Sequence, residues 1–177
     1  SVAYSSGAFS VHRNVVSSVS PDGKTVMFVG DPKLPFYWDP AWVTDIFRQT
    51  VDVVDFYEIR TFQPSEVYVP EYVIAKFGEL PGFEITSVGP EPALLASIEQ
   101  SLGEGSGFSA SAAEVNFTYV ASGVTIHAVV VGWALNGGSA WTTDVYGLAT
   151  DRDLDDYRPM LDAMAASVTT TPEWAAR

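Results

Sequence analysis

The last third of the chain constrains the fold most. Residues 108–121, 124–135 and 139–149 are three long runs rich in β-branched and aromatic side chains, divided only by Ser122-Gly123 and Asn136-Gly137-Gly138. Gly and Asn reach the positive φ values of tight hairpin turns, so this spacing predicts an antiparallel three-strand meander. Taking Ser122-Gly123 as a two-residue turn pairs Ala121 with Val124, Tyr119 with Ile126, Phe117 with Ala128 and Val115 with Val130. That face is wholly apolar and is assigned to the core. The other face carries Asn116, Thr118, Thr125, His127, Val129, Val131 and Trp133. Either choice of the second turn adds Thr142, Asp144, Tyr146 and Leu148 to it, because side chains alternate with a period of two.

The preceding residues alternate between strand and helix signals. Residues 1–7 read as a loose lead-in and 8–19 as a strand. Ser20-Pro21-Asp22-Gly23 is a turn, since Pro presets φ and Asp-Gly favours the reversal, and 25–29 return as a second strand. Asp39-Pro40 has the chemistry of a helix start, with Val43, Ile46 and Phe47 on one face. Residues 50–62 read as a strand. Val69, Tyr72, Val73 and Phe77 have helical spacing, which puts Pro70 in the first turn. A short strand at 82–88, a helix at 92–102 closed by Gly103, and a helix at about 156–168 complete the pattern. Strands, then helices, then a meander and a closing helix give one α+β domain over 1–177, with 169–177 a tail or the start of a linker.

Composition excludes some functions. The chain has 177 residues, 22 acidic against 9 basic, and a formal net charge of -13. Nucleic-acid binding rests on Lys and Arg neutralising phosphates, so a nucleic-acid partner is not expected. An anionic membrane surface is disfavoured for the same reason. No apolar run approaches the roughly 18 residues of a membrane span, so membrane insertion is not expected either. There is no cysteine, which removes disulfides, thiolate metal sites and a cysteine nucleophile together. No motif points to a cofactor, and none is expected.

Four sets of residues could carry chemistry. On the second meander face, His127, Asp144 and Tyr146 supply a base, a carboxylate to orient it and a phenol to donate a proton, the candidate catalytic set. The plainer alternative is a sheet face part covered by helices. Phe36, Tyr37, Trp38 and Trp42 are a dense aromatic patch that could stack a ring or grip a peptide, and with Asn116 and Thr118 they form the candidate ligand-binding set. The plainer alternative is a loop pinned to the core. Asp151, Asp153 and Asp155 alternate as at the start of a calcium loop, but Asp156 stands where that loop needs glycine. Capping of the final helix is the preferred reading of these acids. His12 and His127, the only histidines, could serve a zinc site if the fold brought them together.

Ser20-Pro21-Asp22-Gly23 followed by a strand, Gly30-Asp31-Pro32 and Leu34-Pro35 resembles a family of uncharacterised bacterial exported domains. Tyr146-Gly147-Leu148, an acidic turn, Tyr157-x-Pro159-x-Leu161, Ser167 and Pro172-Glu173-Trp174 resemble the ending of domains with the Mog1/PsbP-like fold, an antiparallel sheet between helices. The resemblance implies that fold and an extracytoplasmic location, with any signal removed before Ser1, and it implies no catalytic residues. The alternative architecture is an NTF2-like cone, which would turn the second meander face into a pocket. Function is expected to be binding of a partner protein or a small ligand. The rivals are an enzyme using the His/Asp/Tyr set and a structural module of a cell-surface assembly held by its acidic exterior and calcium.

Overall fold

The computed structural model describes residues 2–6, 9–13, 15–44 and 57–168. Its strands are β1 (Val2–Ser6), β2 (Phe9–Arg13), β3 (Val16–Val19), β4 (Thr25–Val29), β5 (Phe36–Trp38), β6 (Tyr57–Ile59), β7 (Glu84–Pro90), β8 (Ser109–Ala121), β9 (Val124–Asn136) and β10 (Ala140–Thr150). The helices are α1 (Ser65–Phe77), α2 (Pro92–Leu102) and α3 (Arg158–Ser167), with a 3-10 turn at Pro40–Trp42. β1 and β2 form a separate hairpin, and the other eight strands form one open sheet, so the class is α+β as expected. The sheet runs β3-β4-β10-β9-β8-β7 with antiparallel neighbours throughout. β5 joins the same edge of β10 beyond the end of β4, and β6 adds to β5 in parallel.

The meander has the register its first turn dictates: Ala121 faces Val124, Tyr119 faces Ile126, Phe117 faces Ala128 and Val115 faces Val130. Ser122 and Gly123 both adopt positive φ, 51° and 78°, the type I′ geometry that matches strand twist. At the second turn Trp141 pairs with Asn136, which sets Asp144 opposite Trp133, Tyr146 opposite Val131 and Leu148 opposite Val129. The central strand β9 is buried on both faces from Ala128 to Val131.

Helices cover both faces. α1 lies on the face assigned to the core, with Val69 and Val73 fully buried against Ala113, Val115, Phe117 and Val130. Its first turn is pinned by Ser65, whose backbone N–H donates to Ser111 Oγ at 2.8 Å and whose hydroxyl donates to the Ser111 carbonyl at 2.8 Å. α2 and α3 lie on the second face, where Leu161 is buried against Met27, Val129, Val131 and Leu148, with Leu94 and Met164 packed beside them.

Several local expectations change. The lead-in is strand β1, and residues 8–19 break into β2 and β3, which belong to different sheets. Asp39 does cap a helical turn, accepting from the Ala41 N–H at 2.9 Å, but the turn ends at Trp42 and Val43 is extended. Ile46, Phe47 and most of 50–62 lie outside the described residues, and only Tyr57–Ile59 of that stretch is strand. Pro70 sits in the second turn of α1, so the helix tolerates a missing donor there because its buried face is anchored on the sheet. The tail at 169–177 lies outside the described residues. α3 starts at Arg158 with no acidic residue in its first turn, so Asp155 and Asp156 occupy the preceding turns and do not cap it.

Candidate functional site

The two faces of the sheet are finished differently, and the difference defines the site. α2 and α3 do not close over the β9–β10 end of their face. They leave a cleft of about 710 Å³ with Trp133, Asp144 and Tyr146 on its floor. The α2 wall presents Ala93, Leu94 and Ser97, and the α3 wall presents Arg158, Asp162, Ala165 and Ala166. Both walls carry small residues beside the span that Arg158 makes from α3 toward Glu91.

Its electrostatics centre on Arg158, the first residue of α3. The guanidinium donates to Glu114 of β8, to Asp162 one turn along at 3.1 Å, and stands 3.7 Å from Glu91 at the start of α2. Burial works against its charge, but the Glu114 and Asp162 contacts outweigh it and keep it firmly protonated. Asn116 extends the network, donating to Glu114 at 2.7 Å and to Ser87 at 3.1 Å. One cation thus serves three carboxylates, while Asp144 stands across the floor, where it accepts the Val145 N–H at 2.9 Å. Tyr146 feels the surplus. Burial is the main reason its phenol is pushed up to about 12, and Asp162, Glu91 and Glu114 add to it against Arg158.

The expected catalytic set does not assemble. His127 pairs with Thr150 on β10, and Asp144 is six residues further along that strand. At about 3.4 Å per residue the two are about 20 Å apart, and Tyr146 is about 14 Å from the histidine. Sharing a face fixed which way these side chains point and left their distance along the strand open. His127 is exposed and borders a separate shallow depression with Arg152, Asp153, Leu154 and Asp155. Asp144 and Tyr146 do share the cleft floor.

The expected ligand-binding set also divides. Tyr37 is a core residue, stacked on Trp141 with ring centroids 3.8 Å apart, its hydroxyl 2.8 Å from that of Tyr68. Phe36 and Trp38 are half-buried and pack with Tyr57, whereas Trp42 is 69% exposed on the 3-10 turn. Asn116 and Thr118 lie on β8, separated from β5 by β10 and β9, and do not meet the aromatics. The three alternating aspartates take separate roles: Asp151 pairs with Lys24 at 3.0 Å, and Asp153 accepts the Asp155 N–H at 3.0 Å. Among the described residues no group of three or more acidic or histidine side chains is placed to hold a metal ion. The side chain of His12 lies outside the description.

A second polar cluster sits under the closed face. Asp31, nearly buried in the Gly30-Asp31-Pro32 loop, accepts from Lys76, from the Tyr72 hydroxyl at 2.8 Å and from the Lys33 N–H at 2.9 Å. Burial alone would raise the Asp31 carboxyl, but these donors hold it below the usual carboxylate range. Lys76 also donates to the Tyr72 hydroxyl at 2.9 Å. A tyrosine beside a lysine is an arrangement that can acidify the phenol. Here burial and Asp31 push the Tyr72 phenol far upward, so it remains a protonated donor. The cluster is a latch between the loop and α1.

Arg158 and its partners were not legible as a site, since Glu91, Glu114 and Arg158 come from three separate elements. The local signals were the Arg158–Asp162 spacing and the small residues Ala93 and Ser97 one turn apart on α2. No protein-family model matches the chain, and no curated protein matches it. Among solved structures it is similar to PA94 from Pseudomonas aeruginosa, a protein of unknown function, with a TM-score of 0.40 and 10% identity over 97% of each chain.

Proposed function

We propose that this domain is a non-enzymatic binding module that takes a small ligand in the cleft between α2 and α3. The observation that carries the reading is the cleft itself: about 710 Å³ left open over Trp133 and Tyr146 on a sheet whose other face is filled. That volume is in the range of ordinary small-molecule sites, and an apolar floor with a few convergent polar groups is their usual composition. A binding role is favoured over catalysis by the distance of His127 from Asp144 and Tyr146. The helices on both faces of the sheet support the Mog1/PsbP-like arrangement over an NTF2-like cone. An extracytoplasmic location rests on the sequence resemblance, and fractionation of cells producing the full-length protein tests it. A protein partner is the second reading, favoured by the exposed Trp42.

The decisive variant is Ser97→Trp, which sets an indole from an exposed α2 position into the cleft. A fragment library screened by amide chemical shifts is expected to move signals of Trp133, Tyr146, α2 and α3 in the wild type. Ser97→Trp is expected to abolish those shifts while changing stability by no more than about 0.5 kcal/mol. Shifts clustered around Trp42, indifferent to Ser97→Trp, would favour the partner-protein reading.

A further inference from the structure

We propose that the α2/α3 cleft takes an uncharged ligand, a flat ring bearing a carbonyl oxygen that accepts from the Tyr146 hydroxyl; this rests on the cleft being the binding site. The charges along the cleft form a closed set. Arg158 donates to Glu114 and to Asp162 at 3.1 Å and stands 3.7 Å from Glu91. Asp144 is engaged as well, accepting the Val145 N–H at 2.9 Å. A ligand anion would have to displace a carboxylate from Arg158, and a ligand cation would have to draw one away from it. Either exchange gives up a contact already made and strips the newcomer of its own hydration. An uncharged ligand leaves the network as it stands.

What the network leaves over lies on the floor. Trp133 and Tyr146 are both half-buried, and they stand on adjacent strands as diagonal neighbours on one face. Such neighbours are about 7–8 Å apart, a span that one ring and its substituent can bridge. Among the described residues, neither the Trp133 indole N–H nor the Tyr146 hydroxyl has a hydrogen-bond partner, and neither ring stacks on another aromatic ring. The indole N–H can only donate, and the Tyr146 phenol, held at about 12 chiefly by burial, is a protonated donor at neutral pH. Both leftover polar groups therefore ask for an acceptor. A carbonyl that replaces solvent at the Tyr146 hydroxyl keeps that hydrogen bond, while the attached ring covers the bare indole face. Ala93, Leu94, Ala165 and Ala166 on the walls suit the apolar edge of such a ring.

Amide-shift titrations of the intact protein with 1-indanone, indane, 1-aminoindane and indane-1-carboxylate vary charge and acceptor on one flat frame. They are run at high salt, because a net charge of -13 draws cations to every surface. The ketone is expected to bind roughly fivefold more tightly than indane, one neutral hydrogen bond's worth, and more tightly than either ion. Tyr146→Phe is expected to bring the ketone to within about twofold of indane and to leave indane unchanged. Ser97→Trp is expected to abolish binding of both. If an ion or indane binds as well as the ketone, or Tyr146→Phe leaves the ketone unaffected, while Ser97→Trp still abolishes binding, the cleft is the site and the uncharged acceptor is not its ligand. If none of the four binds, or binding is indifferent to Ser97→Trp, this proposal and the cleft reading fall together.

Discussion

The two faces of one sheet have been finished by different means. Under α1 the gap is filled by large rings: Trp141 lies between Tyr37, Tyr68 and Phe62, and Phe117 lies against Phe77 and Phe83. Under α2 and α3 the buried residues are aliphatic, and the two short helices are joined by the Arg158 ion network. Rings bury large areas and interlock, so the first face closes. A charged network must stay near water to be affordable, so the second face stops short of closing and a cleft remains. On the proposed reading, close packing and ligand binding fall on opposite sides of the same strands, and β9 serves both.

Truncation should separate the faces most strongly. Trp141→Ala removes the centre of the closed face and leaves the Arg60 carbonyl without the indole donor that reaches it at 2.8 Å. Denaturant unfolding is expected to show a loss of about 3–5 kcal/mol. Leu161→Ala on the open face is expected to cost about 2 kcal/mol, the low end for such a change, because the neighbouring cleft lets the site relax or hydrate. Equal losses would mean that the second face is as tightly packed as the first.

A smaller effect is expected at the latch. Asp31→Asn keeps the shape and leaves Lys76, which is partly exposed, without its charged partner, at a cost of about 1–3 kcal/mol at neutral pH. Because the folded carboxyl lies below its ordinary value, the stabilisation is complete above about pH 4 and is lost as pH falls through the lower folded value. The wild-type and Asp31→Asn unfolding curves should therefore converge in acid, which urea titrations at pH 7 and pH 3 measure. The smallest effect belongs to Tyr146. Its phenol at about 12 favours the neutral form in the folded state, so that contribution is intact below the ordinary phenol value and is lost as pH rises through 12. Ultraviolet titration of Tyr146→Phe should lack one late-ionising phenol relative to wild type. A Tyr146 that ionises near the ordinary value would remove the negative field from the cleft.

Much of the scaffold was legible because its determinants are local. Ser122-Gly123 fixed a register that then ran through two 13-residue strands, and the Val69–Phe77 spacing named the face of α1 that packs. The site was less legible. Alternation shows that His127, Asp144 and Tyr146 share a face, and only the distance along β10 shows that the first stands apart. The arginine network depends on Glu91, Glu114 and Arg158 meeting in space, which no spacing in the chain encodes. The aromatic cluster at Phe36–Trp38 was visible as a cluster, yet one member is core and its neighbours are not, because β5 inserts into the sheet edge with Tyr37 facing α1.

That insertion has a mechanical consequence. β4 is held to β10 by five ladder positions and β5 by two, with residues 142–145 between them taking no strand partner on that side among the described residues. The β5–β6 leaf is also fastened by the Tyr37 ring on Trp141, by the paired hydroxyls of Tyr37 and Tyr68, by the Trp141 indole N–H on the Arg60 carbonyl and by the Asp39 N–H on the Ser139 carbonyl. Trp141 carries two of these fastenings, so truncating it loosens the leaf without touching the β4 ladder.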